Sequence, residues 1–551
     1  MSFRFLPMLF TRRHLLAALS STSALGLSIA PLATAAAATP ASAASPHFGG
    51  VLNVAVSPEP TLLTSAFITT MNIGQVSSKV LEGLVAYDLD LKPVPALATS
   101  WATAPDGKTI TFNLRKGVKW HDGKDFTAAD VAFTLKEVWQ KLHPFGRAAF
   151  ANVQEVLTPD AHTVVLKLSA PAPYLLNYAN TYGAQILPKH LYEGKDVLTH
   201  PANNAPIGTG PFVFKEWVKG SHVRLERNPQ YWGKDAQGKQ LPYLDGIVFR
   251  FLPDPAARAV ALQAGELDVA LGSSIPVTSL ANFKDPKRYT INLDDGRYLS
   301  TIFLTQFNVR RPQLQDKRVR QAFAHAIDRN ALLKVVYLGY GKAATGPIPS
   351  SVVQYYTPNT PQYAFDLKKA GELLDAAGLK KDAKGVRLKV NLDYDTGSNR
   401  AAEFIKQSLA RVGVQVNLRT GDTATFLRRI FTEQDYDLMV SSLHRLPDPT
   451  LGVQRLFWTK NIVKAPWTNG SGYSNPKLDQ IMEAAAVEAD AAKRTQLIHE
   501  WQRIAQEDLP LIDLIEPTWV TVSTARFHTT MRQGDGLFAS YADAWLQPKT
   551  P

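Results

Sequence analysis

No cysteine occurs among the 551 residues. Disulfides, thiol nucleophiles, thiolate metal sites and Fe–S clusters are thereby excluded, as is a lipid-anchored N-terminal cysteine. Histidine is sparse, at 12, and no two histidines stand four apart to offer a zinc site on one helix. His499-Glu500 opens an H-E-x-x-H pattern, but Arg503 stands where the second histidine belongs. No G-x-S-x-G occurs, which counts against an α/β-hydrolase. After residue 48 there is no run of 18 apolar residues to cross a membrane. The chain carries a net charge of +12, yet no basic run interleaved with aromatics, so nucleic acid is not an expected partner.

What is present is an ordinary globular composition, 45% hydrophobic and 20% charged. The length suggests about three to four structural units. The first 43 residues read as an export signal that is removed. Arg12-Arg13 precede an apolar Ala/Leu/Ser-rich run, and A-x-A sites follow at Ala33–Ala35, Ala35–Ala37 and Ala41–Ala43. The twin arginine is the mark of a Tat-type signal. A soluble, periplasmic mature protein is the expectation.

The chain is organised around residues 299–329. A strand rich in Ile302, Phe303, Leu304 and Phe307 breaks at Pro312 and gives way to a helix. Val319, Ala322, Phe323, Ala326 and Ile327 form one apolar helical stripe behind Asp316, a candidate N-cap. Here the chain leaves one lobe and founds another. Before it, strands are expected at 49–56, 109–114, 163–168, 212–218, 223–227 and 247–252, with helices at 73–84 and 256–267. A helix capped by Thr127 and Asp130 follows the turn at His121-Asp122-Gly123. After the midpoint, strands at 390–394, 414–418 and 437–441 alternate with helices at 400–412 and 425–432, a βαβ pattern. Helices at 476–488 and 491–507 precede strands at 511–515 and 519–522 that return toward the first lobe.

Several strings invite a chemical reading. His121-Asp122 could form an acid/base pair, but a tight turn before a capped helix accounts for them. Gly208-Thr209-Gly210 starts a G-x-G, with Val213 in the place of the third glycine. The stretch 233–239 has P-loop spacing, but Gln240 replaces the hydroxyl residue that would hold Mg²⁺. No cofactor and no metal is expected.

Seven motifs occur in register: PALATSW (95–101), TFNLRKGVKWHDGKDFTAADVAFTL (111–135), IGTGPFVFKEW (207–217), NPQYWG (228–233), ALQAGELD (261–268), DKRVRQAFAHAIDR (316–329) and DPTLGVQRLFW (448–458). Through them the chain resembles the solute-binding components of ABC importers of the dipeptide/oligopeptide/nickel type, from about residue 49 to 522. The resemblance implies a two-lobed α/β fold, that of the large, dipeptide/oligopeptide-binding subclass of type II periplasmic binding proteins. Lobe 1 would span 44–300, with an inserted subdomain at about 85–205. Lobe 2 would span 301–515, and residues 516–551 would return to lobe 1 and form the tail. It implies no enzyme. It implies a monomer that captures a small-molecule or peptide solute between the lobes and delivers it to an inner-membrane ABC permease.

The resemblance also places the ligand, held as an added strand against two segments. One is 437–444, with Ser442 and His444. The other is 67–71, with Phe67 and Thr69. In peptide-binding relatives an aspartate just beyond the first segment pairs with the ligand's α-amino group, and here that position falls on Arg445 or Leu446. Asp448 belongs to a later Asp-Pro pair. Arg445, with Arg400 and Asn399 at the start of a helix near the ligand's other end, is a candidate anion site. Each arginine has an alternative reading as a surface or structural ion pair, Arg445 more so than Arg400. Tyr394 and Trp458 are candidate cleft walls, or plain core. The leading ligand is a peptide or peptide-like amino-acid derivative. Alternatives are an acidic non-peptide, either opine-like or a phosphorylated sugar conjugate, and, from another class, a periplasmic hydrolase.

Overall fold

A computed structural model describes residues 45–293, 295–529 and 534–548. The export signal lies outside the described residues. Among these residues two large sheets carry the architecture. The first has seven strands in the order 289–292, 521–524, 269–270, 51–56, 246–251, 222–227 and 212–218. Its centre is Val51–Val56, parallel to Gly246–Phe251 on one side and to Val269–Ala270 on the other. Leu52, Val54, Ala55 and Val56 are all buried, as expected for a strand covered on both faces. A separate four-stranded sheet, 98–103, 109–114, 163–168 and 153–160, lies within the stretch expected to be inserted.

The second large sheet has the order 341–343, 511–517, 301–307, 438–444, 388–395 and 414–421. Thr301–Phe307 is buried at every residue and pairs antiparallel with both Leu438–His444 and Leu511–Pro517. The Asp316 carboxylate accepts from the Arg318 amide and caps the helix Lys317–Ala326, whose Val319, Ala322, Phe323 and Ala326 are buried. Leu388–Asp395, the helix Asn399–Ala410 and Val414–Gly421 form a βαβ unit with parallel strands. The chain passes between the large sheets twice, after Asn292 and before Thr301, and again between Pro517 and Thr521.

Three expectations are corrected. The strand Leu511–Pro517 belongs to the second sheet, and only Thr521–Thr524 returns to the first. The helix expected at 73–84 is Met71–Ser77. The segment expected as a helix at 425–432 is the short helix Thr423–Leu427, widening into a π-helical turn at Arg428–Glu433.

The tempting motifs resolve as scaffold. His121 Nδ1 accepts from the Gly208 amide at 3.2 Å and Nε2 lies 3.0 Å from the Gly210 carbonyl, so two of the sequence motifs meet through one ring. Gly208 admits no side chain there, because a Cβ would stand 1.7 Å from the Val80 carbonyl oxygen. The 233–239 stretch is a loop closed by Asp235, whose carboxylate accepts from the Gln237 and Lys239 amides.

Candidate functional site

A cavity of about 870 Å³ separates the two sheet systems, with a second of about 190 Å³ beside it. Thr69, Phe145, Arg455 and Trp467 line both. The larger volume lies within the roughly 300–1,000 Å³ typical of small-molecule sites. Walls come from both halves of the chain. One side presents Thr69, Phe145 and three tyrosines, Tyr178, Tyr182 and Tyr298; the other presents Ser442, His444, Gln454, Trp458 and Trp467. The two sides also touch, since Asn177 Nδ2 donates to Asp448 Oδ2 at 3.1 Å.

The aromatic side is held by buried polar groups. His143 is fully buried, and its Nδ1 accepts from the Phe145 and Gly146 amides at 3.2 and 2.9 Å. Burial pushes its pKa down to about 3, so the ring is neutral and keeps that lone pair. The Tyr182 hydroxyl donates to the Thr69 carbonyl at 2.7 Å, while its ring stacks on Phe538 with centroids 3.9 Å apart. The Tyr298 hydroxyl donates to Asn180 Oδ1 at 3.1 Å.

The other side offers a strand edge. Leu388–Asp395 pairs with Leu438–His444 only as far as Tyr394↔Val440. On its opposite edge the strand pairs through to Thr301↔His444. The Arg445 amide donates to the Leu299 carbonyl at 3.0 Å and to that of Ser300 at 3.3 Å, both on the side of Thr301–Phe307. By antiparallel alternation the main-chain groups of Ser442 and His444 therefore face the open edge. The Ser442 side chain is exposed. His444 Nδ1 lies 2.9 Å from Thr301 Oγ1, and burial, then the nearby Arg455 charge, lowers its pKa to about 4.

Of the residues singled out from sequence, Thr69, Ser442, His444 and Trp458 come together on the cavities. Trp458 donates from Nε1 to Glu483 Oε1 at 2.9 Å. Phe67 and Tyr394 are buried in the two cores and do not line the cavities. Arg400 and Asn399 are exposed, and Arg400 Nη2 donates to the Val335 carbonyl at 2.7 Å, away from the cavities. Arg445 is fully enclosed, its Nη2 donating to Asp513 Oδ1 at 2.6 Å. The candidate anion pair of Arg400 and Arg445 is therefore not assembled in the cleft. One arginine is committed to a buried aspartate and the other lies on the outside of the second lobe.

Two cations line the larger cavity, Arg147 and Arg455, neither of them singled out from the sequence; Arg455 also lines the smaller one. Arg455 sits in the turn after the short helix Pro449–Gly452, itself capped by Asp448 through the Thr450 amide. Its guanidinium donates to three main-chain carbonyls, those of Gly452, His444 and Trp467, and faces the Phe145 ring at 5.7 Å. Burial, then the Arg445 charge, lowers its pKa to about 9. A sequence signal existed. Arg455 stands in the apolar string LGVQRLFW with no acid three or four residues to either side.

Asp448 is fully buried and gripped by Arg494, with Nη1 and Nη2 2.9 and 2.8 Å from its two oxygens. Among the described residues no helix is long and apolar enough to cross a membrane, and no group of three potential metal ligands occurs.

Comparison with known proteins places this architecture. The family model for bacterial extracellular solute-binding proteins, family 5 (middle), matches residues 92–464. The dipeptide-binding protein of Escherichia coli K12 is 31% identical over 452 residues, covering 77% of this chain and 81% of that protein. The structure of DppA from Helicobacter pylori in complex with the peptide STSA aligns with a TM-score of 0.76 at 25% identity, over 91% of this chain and 99% of that one. AgaA from A. tumefacien R10, in complex with agropinic acid, aligns with a TM-score of 0.73 at 25% identity, over the same 91% and 99%. The chain belongs to the family 5 bacterial extracellular solute-binding proteins, with the two-lobed fold of type II periplasmic binding proteins.

Proposed function

We propose that this protein is the periplasmic receptor of an ABC importer, enclosing a peptide or peptide-like amino-acid derivative between its lobes and handing it to the membrane permease. It is a binding protein and not an enzyme. The observation that carries the reading is a cavity of about 870 Å³, walled by both lobes, beside a strand edge left open at Ser442. An extended main chain added along that edge would hydrogen-bond to Ser442 and His444 irrespective of its side chains. Thr69 and Trp458 would flank it. The relatives named for peptides agree in kind.

Further parts belong to the same proposal. The first 43 residues direct export and are removed, by the Tat route. The receptor acts as a monomer. The lobes, at about 44–300 and 301–515, part and close about the two crossovers. Because binding shifts a conformational equilibrium only through differential affinity, the solute must bind the closed state more tightly.

A second reading, an acidic non-peptide solute, is favoured by the cation at Arg455 and by the likeness to AgaA, which was solved with agropinic acid. Native mass spectrometry on protein recovered from its own periplasm separates the two. A bound mass that fragments as a short peptide is the expected result. A bound acid with no amide ladder would establish the second reading in its place.

A further inference from the structure

We infer that Arg455 receives the carboxylate of the solute, and that the cleft selects acids whose amino group is capped or absent. The inference rests on the reading of this protein as a receptor for peptide-like solutes and names the chemical form of that solute.

The argument is one of unmatched charge. Arg455 lines both cavities and stands where they join. A guanidinium has five N–H donors. Three are used on the carbonyls of Gly452, His444 and Trp467, one each from Nε, Nη2 and Nη1. One hydrogen on each Nη is left, the number that the two oxygens of a carboxylate accept. All three partners are neutral carbonyls, so no carboxylate balances the charge. Arg445, whose own partner is Asp513, adds repulsion rather than balance. Arg455 is half-buried; a charge taken partly out of water without a counter-ion carries a cost, and an anion brought by the solute would offset it.

The same census argues against a free ammonium. Among the described residues lining the two cavities, Glu483 is the sole acid. It already holds the Trp458 indole N–H at 2.9 Å and the Lys460 ammonium at 2.8 Å. Asp448, close by in sequence, is sealed behind Arg494. Across from Arg455 stand the Phe145 ring and the tyrosines, which carry no charge to pair an amine. The cleft, lined by Arg455 and, in the larger cavity, by Arg147, is thus cationic, and among the described lining residues it has no uncommitted anion.

The test uses the mature chain and one tripeptide library made in four forms: free or acetylated at the amino end, each as acid or amide. Retention is read by affinity selection with mass spectrometry, and affinities of retained members by calorimetry. Acetylated acids should bind about ten- to a hundredfold more tightly than the matching amides, the range of a charge-assisted hydrogen bond. Arg455→Gln should remove that preference, bringing the acid-to-amide affinity ratio close to unity. Equal retention of acids and amides, or tighter binding of free-amine than acetylated acids, overturns the inference and leaves the receptor reading standing. Retention of none of the four forms overturns the peptide reading, and this inference with it. Arg455 also braces three carbonyls, so Arg455→Gln could fail to fold; the acid-to-amide ratio of the unaltered protein, with Arg455→Lys as the variant that keeps the charge, then decides.

Discussion

A histidine kept neutral by burial holds one wall of the cleft, and its titration has a definite sign. His143 accepts two main-chain N–H groups at Nδ1, which a proton there would displace. Its folded pKa, about 3, lies below the ordinary 6.5. On acidification the unfolded chain therefore binds the proton first. The contribution of His143 is fully present above pH 6.5 and is lost as pH falls from 6.5 toward 3, at up to about 1.4 kcal/mol per pH unit. Asn at this position keeps an acceptor for the amides but does not titrate. The stability difference between wild type and His143→Asn, from urea midpoints, should thus move against the wild type by about 2 kcal/mol between pH 6.5 and pH 4.5. A difference independent of pH would mean the ring is not buried neutral. The arginines show what sequence conveys at this scale and what it withholds. Residue type marks every cation, but only the fold decides which is neutralised: Arg445 meets Asp513 across 68 residues, and Arg494 meets Asp448 across 46. The absence of an acid near Arg455 was readable locally; the absence of a distant one was not.

At the scale of elements, periodicity located most strands and helices within a few residues. The strands at 109–114, 163–168 and 212–218 were bounded as expected, because alternation and flanking turn residues are local properties. The open edge at Ser442 was not legible, since it depends on where a neighbouring strand stops pairing. The turn that carries Arg455 depends on a close approach that composition does not reveal. A Cβ on Gly452 would stand 1.4 Å from the Arg445 carbonyl oxygen and 2.2 Å from its carbon. Both are main-chain atoms that no rotamer change can move aside. Gly452→Ala must therefore displace the turn, and overpacking of this kind costs about 1–3 kcal/mol. The Gly452 carbonyl also accepts from Arg455 Nε at 3.2 Å, so the shift should carry the guanidinium with it. A fall in the urea midpoint together with weaker retention of solute is the expected outcome. An unchanged midpoint would show that the segment relaxes freely and does not fix Arg455.

At the scale of the whole molecule, the question is whether the lobes part to release what they hold. Two contacts cross the cleft: Asn177 reaches Asp448, and Phe145 faces Arg455. A further approach allows this to be tested by covalent means. Gly107 turns between the strands Ala98–Thr103 and Thr109–Leu114, while Ala489 lies between the helices Pro476–Val487 and Ala491–Asp508. A Cβ at residue 107 would lie 3.6 Å from that of Ala489, within the roughly 3.5–4.5 Å that a disulfide spans. Because the chain has no cysteine of its own, Gly107→Cys and Ala489→Cys have only each other to pair with inside the molecule. The positive φ of 69° at Gly107 makes any side chain there less stable, by about 1 kcal/mol. Its Cβ would also stand 2.9 Å from the Pro171 Cβ, so the turn must shift by a few tenths of an ångström, at a further cost of about 1–3 kcal/mol. The urea midpoint of Gly107→Cys alone measures that cost. Oxidised in the presence of its solute, the double variant should release that solute at least tenfold more slowly than the reduced form, and reduction should restore the original rate. The single variants, which cannot bridge the cleft, should match the wild type in either condition. If the bridge forms and the release rate does not change, the solute leaves without the lobes parting, and the two crossovers do not act as a hinge.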